Sequence, residues 1–263
     1  MLFAAEKNHI IEEQHKDITD SIQYSKRIQE AIMPPIHLWE TILPDSFLLY
    51  KPKDVLSGDF YWMEKTKDSI YFAACDCTGH GVPGAMVSVI CSTALNRAVK
   101  EFGIKDPGKI LDKVRELVLE TFEKSEGSVQ DGMDISLCCL NTKTLELIWS
   151  GANNPLWYLD KGEAIEVTAT KQPIGQVDDP VSFISHTIQM NKNDIIYIFT
   201  DGYADQFGGP KGKKFKYKQL KELLVNNANK TMKEQRDILL NAFETWRGNL
   251  EQVDDVCVIG VRV

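Results

Sequence analysis

No stretch of the 263 residues approaches the roughly 20 consecutive apolar positions that a membrane-crossing helix needs, and Met1 is not followed by the basic start and small-residue cleavage site of a secretion signal. Cysteine is sparse and badly placed for cross-linking: the six cysteines make no disulfide framework, and none are spaced as C-x-x-C. Of the five histidines, His9 and His15 lie in a charged N-terminal stretch and His37 and His186 fall outside any motif, which argues against a histidine-rich zinc site. Positive charge is in deficit. Thirty Lys+Arg against 38 Asp+Glu leave a net charge of -8, which argues against a nucleic-acid backbone or an anionic membrane as the main partner. There is no internal repeat and no low-complexity tract. What remains is a chain expected to be soluble and cytoplasmic, not membrane-inserted, with its cysteines as small apolar core residues in a reducing compartment.

Glycine and proline are missing between Ala5 and Met33, where charges are dense. Ile11, Ile18, Ile22 and Ile32, with His15, Ser25 and Gln29 between them, follow a 3-4 spacing of about four heptads. This predicts a coiled-coil-like helix, polar nearly all round, which needs a partner along its narrow seam. The expected partner is a second copy of the chain, giving a homodimer. Pro34-Pro35 ends the helix, so residues 1–35 are assigned to a helical linker and dimerisation segment and residues 36–263 to a globular domain.

Within the globular part, strands are predicted at 46–50, 60–63 and 69–75. Two helices follow, one from Pro83 towards Lys100 and one after the start signal Asp106-Pro107, with Ile110, Val114, Leu117, Val118 and Thr121 on one face. Strands return at 135–140, 145–150, 156–159, 183–188 and 195–200. Helices at 217–225 and 231–246 and a strand at 256–263 complete the chain. Strands grouped with strands and helices with helices indicate the α+β class rather than a repeating βαβ sheet.

Four acidic motifs carry the candidate chemistry: SGDFYW around Asp59, ACDCTGHGVPGAM around Asp76, FTDGYAD around Asp201 and VDDVCVIGV around Asp254 and Asp255. Each places an aspartate at the end of an apolar strand or beside a glycine. Buried carboxylates are unfavourable unless paired or metal-bound, so several at strand ends ask for hard divalent cations with oxygen ligands. Singly, such an Asp is usually a turn residue. The four in this order are the signal.

That order, together with DGMDISLCCLN from Asp131, SGANNPLWYL from Ser150 and QPIG from Gln172, resembles the PPM-type (type 2C-like) protein phosphatases. The nearest branch is the bacterial one typified by stage II sporulation protein E (SpoIIE) and the sigma-factor regulator RsbU. The resemblance covers roughly residues 51–263. It implies an αββα sandwich, two antiparallel sheets flanked by helices, with metals at one edge. It also implies catalysis by Asp59, Asp76, Asp201 and Asp254 around two divalent cations, Mn2+ or Mg2+. By the same resemblance Asp76 bridges both cations and Cys77 adds its backbone carbonyl, while Asp59 serves one cation and Asp201 with the C-terminal pair serves the other. The first of that pair, Asp254, is the expected ligand. Cys257 stands where the family has Thr or Ser, so Asp255 stays a candidate.

His80, in Gly79-His80-Gly81, could give a proton to a leaving alkoxide or hold a neighbouring aspartate; as a bland alternative it orders a loop between two glycines. Pro83 fits a first-position helix proline. Lys53 could meet substrate phosphate, and the basic run 211–216 could hold an acidic or phosphorylated protein, though both also suit a solvated surface. The expected function is hydrolysis of phosphoserine or phosphothreonine on a protein by metal-activated water, with a STAS-domain anti-sigma antagonist implied as substrate and a larger sensor protein as parent. Two other classes compete: a catalytically silent PPM module that binds a phosphoprotein, and a coiled-coil adaptor, which explains only the first 33 residues.

Overall fold

The computed structural model describes residues 2–123 and 131–263, with side chains from Asn8 onward. Helix α1 (Leu2–Glu30) is continuous, as a stretch without Gly or Pro and rich in Glu, Lys and Gln permits. Its two ends differ. Ile10, Ile11 and Ile18 are exposed, whereas Ile22, Ser25 and Lys26 are half-buried and Gln29 keeps only 4% of its surface. The lower half of the predicted seam is therefore covered by the chain's own body, and the upper half is open. A short helix α2 (Ile36–Ile42) follows, which the sequence pattern does not predict. It packs by Trp39, whose ring meets Tyr61 edge-on at 5.7 Å and whose indole N–H donates to Ser46 Oγ at 3.0 Å.

Two five-stranded sheets form the body, every pairing antiparallel. One runs β1 (Ser46–Lys51), β12 (Val256–Arg262), β9 (Ile195–Phe199), β6 (Leu156–Asp160), β7 (Glu163–Val167). The other runs β2 (Phe60–Lys65), β3 (Ser69–Cys77), β4 (Met133–Asn141), β5 (Glu146–Ala152), β8 (His186–Gln189). On the outside of the second sheet lie α3 (Gly81–Asn96), which continues through a widened π turn (Arg97–Glu101), and α4 (Pro107–Phe122). On the outside of the first lie α6 (Tyr217–Asn226) and α7 (Met232–Arg247). This is the α+β, αββα arrangement expected.

The layering explains the burial. Phe72, Ala73, Ala74 and Cys75 of β3 are all fully buried, because one face meets the other sheet and the opposite face meets α3 and α4. A second apolar cluster, including Trp157, Tyr197, Phe199, Leu220, Leu239 and Phe243, lies under α6 and α7. All six cysteines are free and buried.

Three expectations need correction. Gly81–Glu101 is long and apolar enough to cross a bilayer by length and composition, against the reading that no such stretch exists; half of it is buried among α4 and the second sheet, and Ser and Thr break the apolar run without making it polar. Pro83 is the third residue of α3, not the first, which its missing N–H tolerates because first-turn donors have no intrahelical partner. Residues 183–185 are not strand: the Phe183 N–H donates to Asp112 and the Gly108 N–H to Ser185 Oγ, so this segment is tied to α4 before β8 begins.

Candidate metal centre

Antiparallel pairing brings the four motifs to one edge of the sandwich. Asp59 immediately precedes β2, and Phe60 pairs with Cys75, so Asp76 near the end of β3 lies beside it. Asp201 follows β9 by one residue past Thr200, and Asp254 and Asp255 precede β12, whose Val258 pairs with Phe199. Thr200 joins the two sheets: its hydroxyl donates to Asp59 Oδ2 at 2.6 Å, and its oxygen accepts the Cys257 N–H at 3.0 Å.

Close backbone packing fixes this edge, and two glycines permit it. A Cβ at Gly58 would overlap the Gly79 carbonyl and stand 2.9 Å from the Cys77 carbonyl oxygen, the oxygen expected to face a cation. A Cβ at Gly202 would overlap the Asp255 carbonyl.

The electrostatics are those of a site short of positive charge. Asp59, 3% exposed, has its pKa raised well above the usual carboxylate range, first by burial and then by the charge on Asp76; the Thr200 hydroxyl opposes this. Asp76 is raised by burial and then by Asp201, Asp134 and Asp254, with the Asp201 backbone acting in the opposite direction. Asp201 is pushed up to about 6 by burial, then by Asp254, Asp205 and Asp134. Asp254 is raised by partial burial and by Asp255, with Lys53 and His80 holding it down. Of the lysines near this edge, Lys214 is paired, its Nζ holding Asp205 at 2.7 Å. An oxygen-only donor set with unbalanced negative charge suits Mg2+ or Mn2+. Among the described residues no three His, Cys, Asp or Glu side chains close around a single point.

The two C-terminal aspartates are placed differently. Asp255, 2% exposed, accepts the Lys53 N–H at Oδ1 and the Gly58 N–H at Oδ2, both at 2.7 Å, so it clamps the loop that leads to Asp59. Asp254 is exposed, its carboxylate accepts only the Asp255 N–H at 2.9 Å, and its charge bears on Asp59, Asp76 and Asp201. His80 caps the start of α3 and its Nδ1 contacts Asp54 Oδ2 at 2.9 Å on the rim. In the basic run, Lys213 and Lys214 form β11 (Lys213–Lys214), paired with β10 (Phe207–Gly208), and the lysines of the run are exposed.

Three further groups reach this edge without having been singled out in the sequence. Asp134 sits directly across β3–β4 from Asp76, and its Oδ1 accepts the Asn153 side-chain N–H at 2.9 Å; Asn153 adopts a left-handed φ of 57°. Gln29 reaches the loop from α1: its Nε2 donates to the Ser57 carbonyl and to Ser88 Oγ, and its Oε1 accepts the Ser57 N–H at 3.1 Å. Tyr217 opens α6 and packs its ring against Phe199, two residues before Asp201. Only Asp134 lay within a quoted motif, and no local signal distinguishes the other two.

An αββα sandwich carrying these carboxylates at one edge defines the PPM-type phosphatase fold. Residues 66–263 match the family model described as Stage II sporulation protein E (SpoIIE), and the chain belongs to that family. Phosphoserine phosphatase RsbU of Bacillus subtilis (strain 168) is 25% identical over 197 residues, 72% of this chain and 55% of that protein, so the chain spans about half the length of the curated relative it matches. The SiaA-PP2C domain of Pseudomonas aeruginosa superimposes with a TM-score of 0.86 at 28% identity, covering 95% of this chain and 98% of that one. The PP2C phosphatase domain of SpoIIE from Bacillus subtilis, solved with a fragment of its regulatory domain, superimposes with a TM-score of 0.67 at 18% identity, over 83% of this chain and 63% of that one, a likeness of fold alone.

Proposed function

We propose that the chain is a metal-dependent protein phosphatase acting on phosphoserine or phosphothreonine. The observation that carries this is the convergence of Asp59, Asp76, Asp201 and Asp254, from four separate segments, at one edge of the sandwich, where Asp59, Asp76 and Asp201 are raised first by burial and then by the charges of neighbouring carboxylates, Asp254 among them. In this reading Asp76 faces both cations, with Asp59 and the Cys77 carbonyl, and Asp201 with Asp254, completing the set. Bound divalent cations lower the pKa of water towards neutrality and offset negative charge on the phosphoryl oxygens. Asp255 acts one layer out, holding the 53–58 loop that presents Asp59. Lys53 and His80 stand on the rim beside Asp254, where a cationic side chain meets phosphate and a histidine held by Asp54 can protonate the leaving oxygen.

The test is hydrolysis of an aryl phosphate and of phosphoserine and phosphotyrosine peptides in Mn2+, in Mg2+ and in EDTA. Turnover that needs the cation and favours phosphoserine is expected. A protein that binds Mn2+ yet hydrolyses none of these is instead a silent phosphoprotein-binding module, and faster cleavage of phosphotyrosine overturns the substrate class.

The substrate we propose is a phosphorylated STAS-type antagonist in a partner-switching pathway, in the cytoplasm, where six unpaired buried thiols are stable. Residues 1–35 serve as the linker and dimerisation segment and residues 36–263 as the phosphatase domain. Exposed Ile11 and Ile18 support pairing of two arms, since an apolar seam left open on an otherwise polar helix asks for cover. Asp placed at both positions is expected to convert a sedimenting dimer into monomer with its fold intact. A wild-type chain that is monomeric throughout would end the pairing idea.

A further inference from the structure

We propose that Tyr217 is a phosphate-contacting residue of this site, its phenol O–H donating to a non-bridging oxygen of the bound phosphoester; this rests on the phosphatase reading above. The residue is tied to the metal-facing turn by the backbone. The Phe215 N–H donates to Gln206 O at 2.9 Å and the Lys216 N–H to Ala204 O at 2.6 Å, immediately after the short helix α5 (Gly202–Asp205) that follows Asp201. Lys216 then turns through a φ of 75°, which starts α6 and throws the next side chain towards the sheet edge.

The ring is held on two sides. It meets Trp157 edge-on at 6.1 Å and Phe199 at 5.8 Å, and both of those rings are buried. Phe199 is two residues from Asp201, so the aromatic wall and the carboxylate belong to one strand end. Tyr217 nevertheless stays 39% exposed.

The hydroxyl is free to donate. The hydroxyls of Tyr50, Tyr71, Tyr197 and Tyr203 each donate to a carbonyl or a side-chain oxygen, whereas those of Tyr24, Tyr61 and Tyr158, like that of Tyr217, have no protein partner among the described residues. Among the described residues the Tyr217 hydroxyl makes no hydrogen bond. Its pKa is raised, by burial first and then by the charges of Asp201, Asp205, Asp76 and Asp134, in keeping with its ring contact with Phe199 at the strand end that leads to Asp201. A phenol is an O–H donor at neutral pH, and this one, packed against two rings, is unused by the protein. An anion brought in by the cations is the acceptor it lacks. Lys214 beside Asp205, Lys171 near Asp134, and Lys53 and His80 near Asp254 add positive charge around the carboxylates.

A purely structural role predicts that Phe would serve equally well, because the ring contacts are apolar. The experiment compares the full chain with Tyr217→Phe, measuring inorganic phosphate binding to the Mn2+-loaded protein by calorimetry, Mn2+ affinity separately, and hydrolysis of a phosphoserine peptide. Loss of one hydrogen bond to a charged acceptor corresponds to about tenfold or more. Phosphate affinity should fall by about tenfold and KM for the peptide rise similarly, with Mn2+ affinity and thermal midpoint unchanged. Unchanged phosphate affinity, or Mn2+ affinity falling by the same factor, overturns the proposal. A wild-type protein that binds phosphate but hydrolyses no ester overturns the phosphatase reading instead, and the phosphate affinity of Tyr217→Phe still decides this one.

Discussion

Asparagine in place of Asp76 is expected to abolish phosphate-ester hydrolysis in saturating Mn2+, by at least about 10³-fold, and to raise the thermal midpoint in EDTA at pH 7. The two effects have one origin. Asp76 lies in the middle of the carboxylate group, its charge bearing on Asp59 and the charges of Asp201, Asp134 and Asp254 bearing on it. With cations bound that charge is the attraction holding them; without cations it is repulsion. Asparagine keeps the volume and removes the charge. The sign of the pH dependence follows. Asp201 titrates near 3.8 when exposed and is pushed up to about 6 in the fold, and Asp59 and Asp76 are also raised. The folded chain thus binds these protons more tightly than the unfolded one. Their stabilising effect is complete below about pH 3.8 and is lost as pH rises through about 6 and beyond. In EDTA the wild-type midpoint should fall between pH 5 and pH 8, and the fall should be shallower in Asp76→Asn. Near-normal turnover by the variant, or a wild-type midpoint in EDTA that rises over this range, would contradict the assignment.

Much of this architecture is written locally. The start signal Asp106-Pro107 is realised as a cap, with Asp106 accepting the Lys109 N–H at 3.0 Å, and the helix read from Thr231 begins with a reciprocal Thr231–Glu234 capping box. Strands dense in β-branched and aromatic residues, such as Ile195–Phe199, fall where their composition puts them. What was not legible depends on partners distant in the chain. Helix α2 is too short for a periodic pattern, and β7, with exposed Glu163 and Glu166, shows no clear alternation until β6 pairs with it. Gln29 reads as a polar interruption of a seam because its partners, Ser57 and Ser88, lie 28 and 59 residues away. Asp134 looks like one more acidic residue until the β3–β4 register sets it opposite Asp76. The four motif aspartates were visible because each sits at the end of its own apolar strand, while their convergence depends on strand order.

The pair Asp254-Asp255 gives the sharpest separation of metal binding from support, and the two asparagine variants are expected to fail in opposite ways. The Asp254 carboxylate accepts one hydrogen bond, from the next residue's N–H, and otherwise adds negative charge to a site that already has too much. Asp254→Asn should lose Mn2+ affinity and turnover while its thermal midpoint in EDTA stays level or rises. Asp255 instead receives two backbone N–H groups, from Lys53 and Gly58, at 2.7 Å each, inside the protein. An amide side chain has one acceptor oxygen and turns its NH2 towards the second N–H, leaving two donors face to face. Hydrogen bonds to charged groups contribute roughly 1.5–3 kcal/mol each, so Asp255→Asn should cost about 3 kcal/mol, or about 6–12 °C in midpoint for a domain of this size. Turnover should fall as well, because the freed loop carries Asp59 away from Asp76, and excess Mn2+ should restore part of it. Thermal scans of both variants with and without Mn2+, beside a manganese titration, read these outcomes apart. An Asp255→Asn protein as stable as wild type, with all of its defect in metal affinity, would make Asp255 the ligand and Asp254 the support.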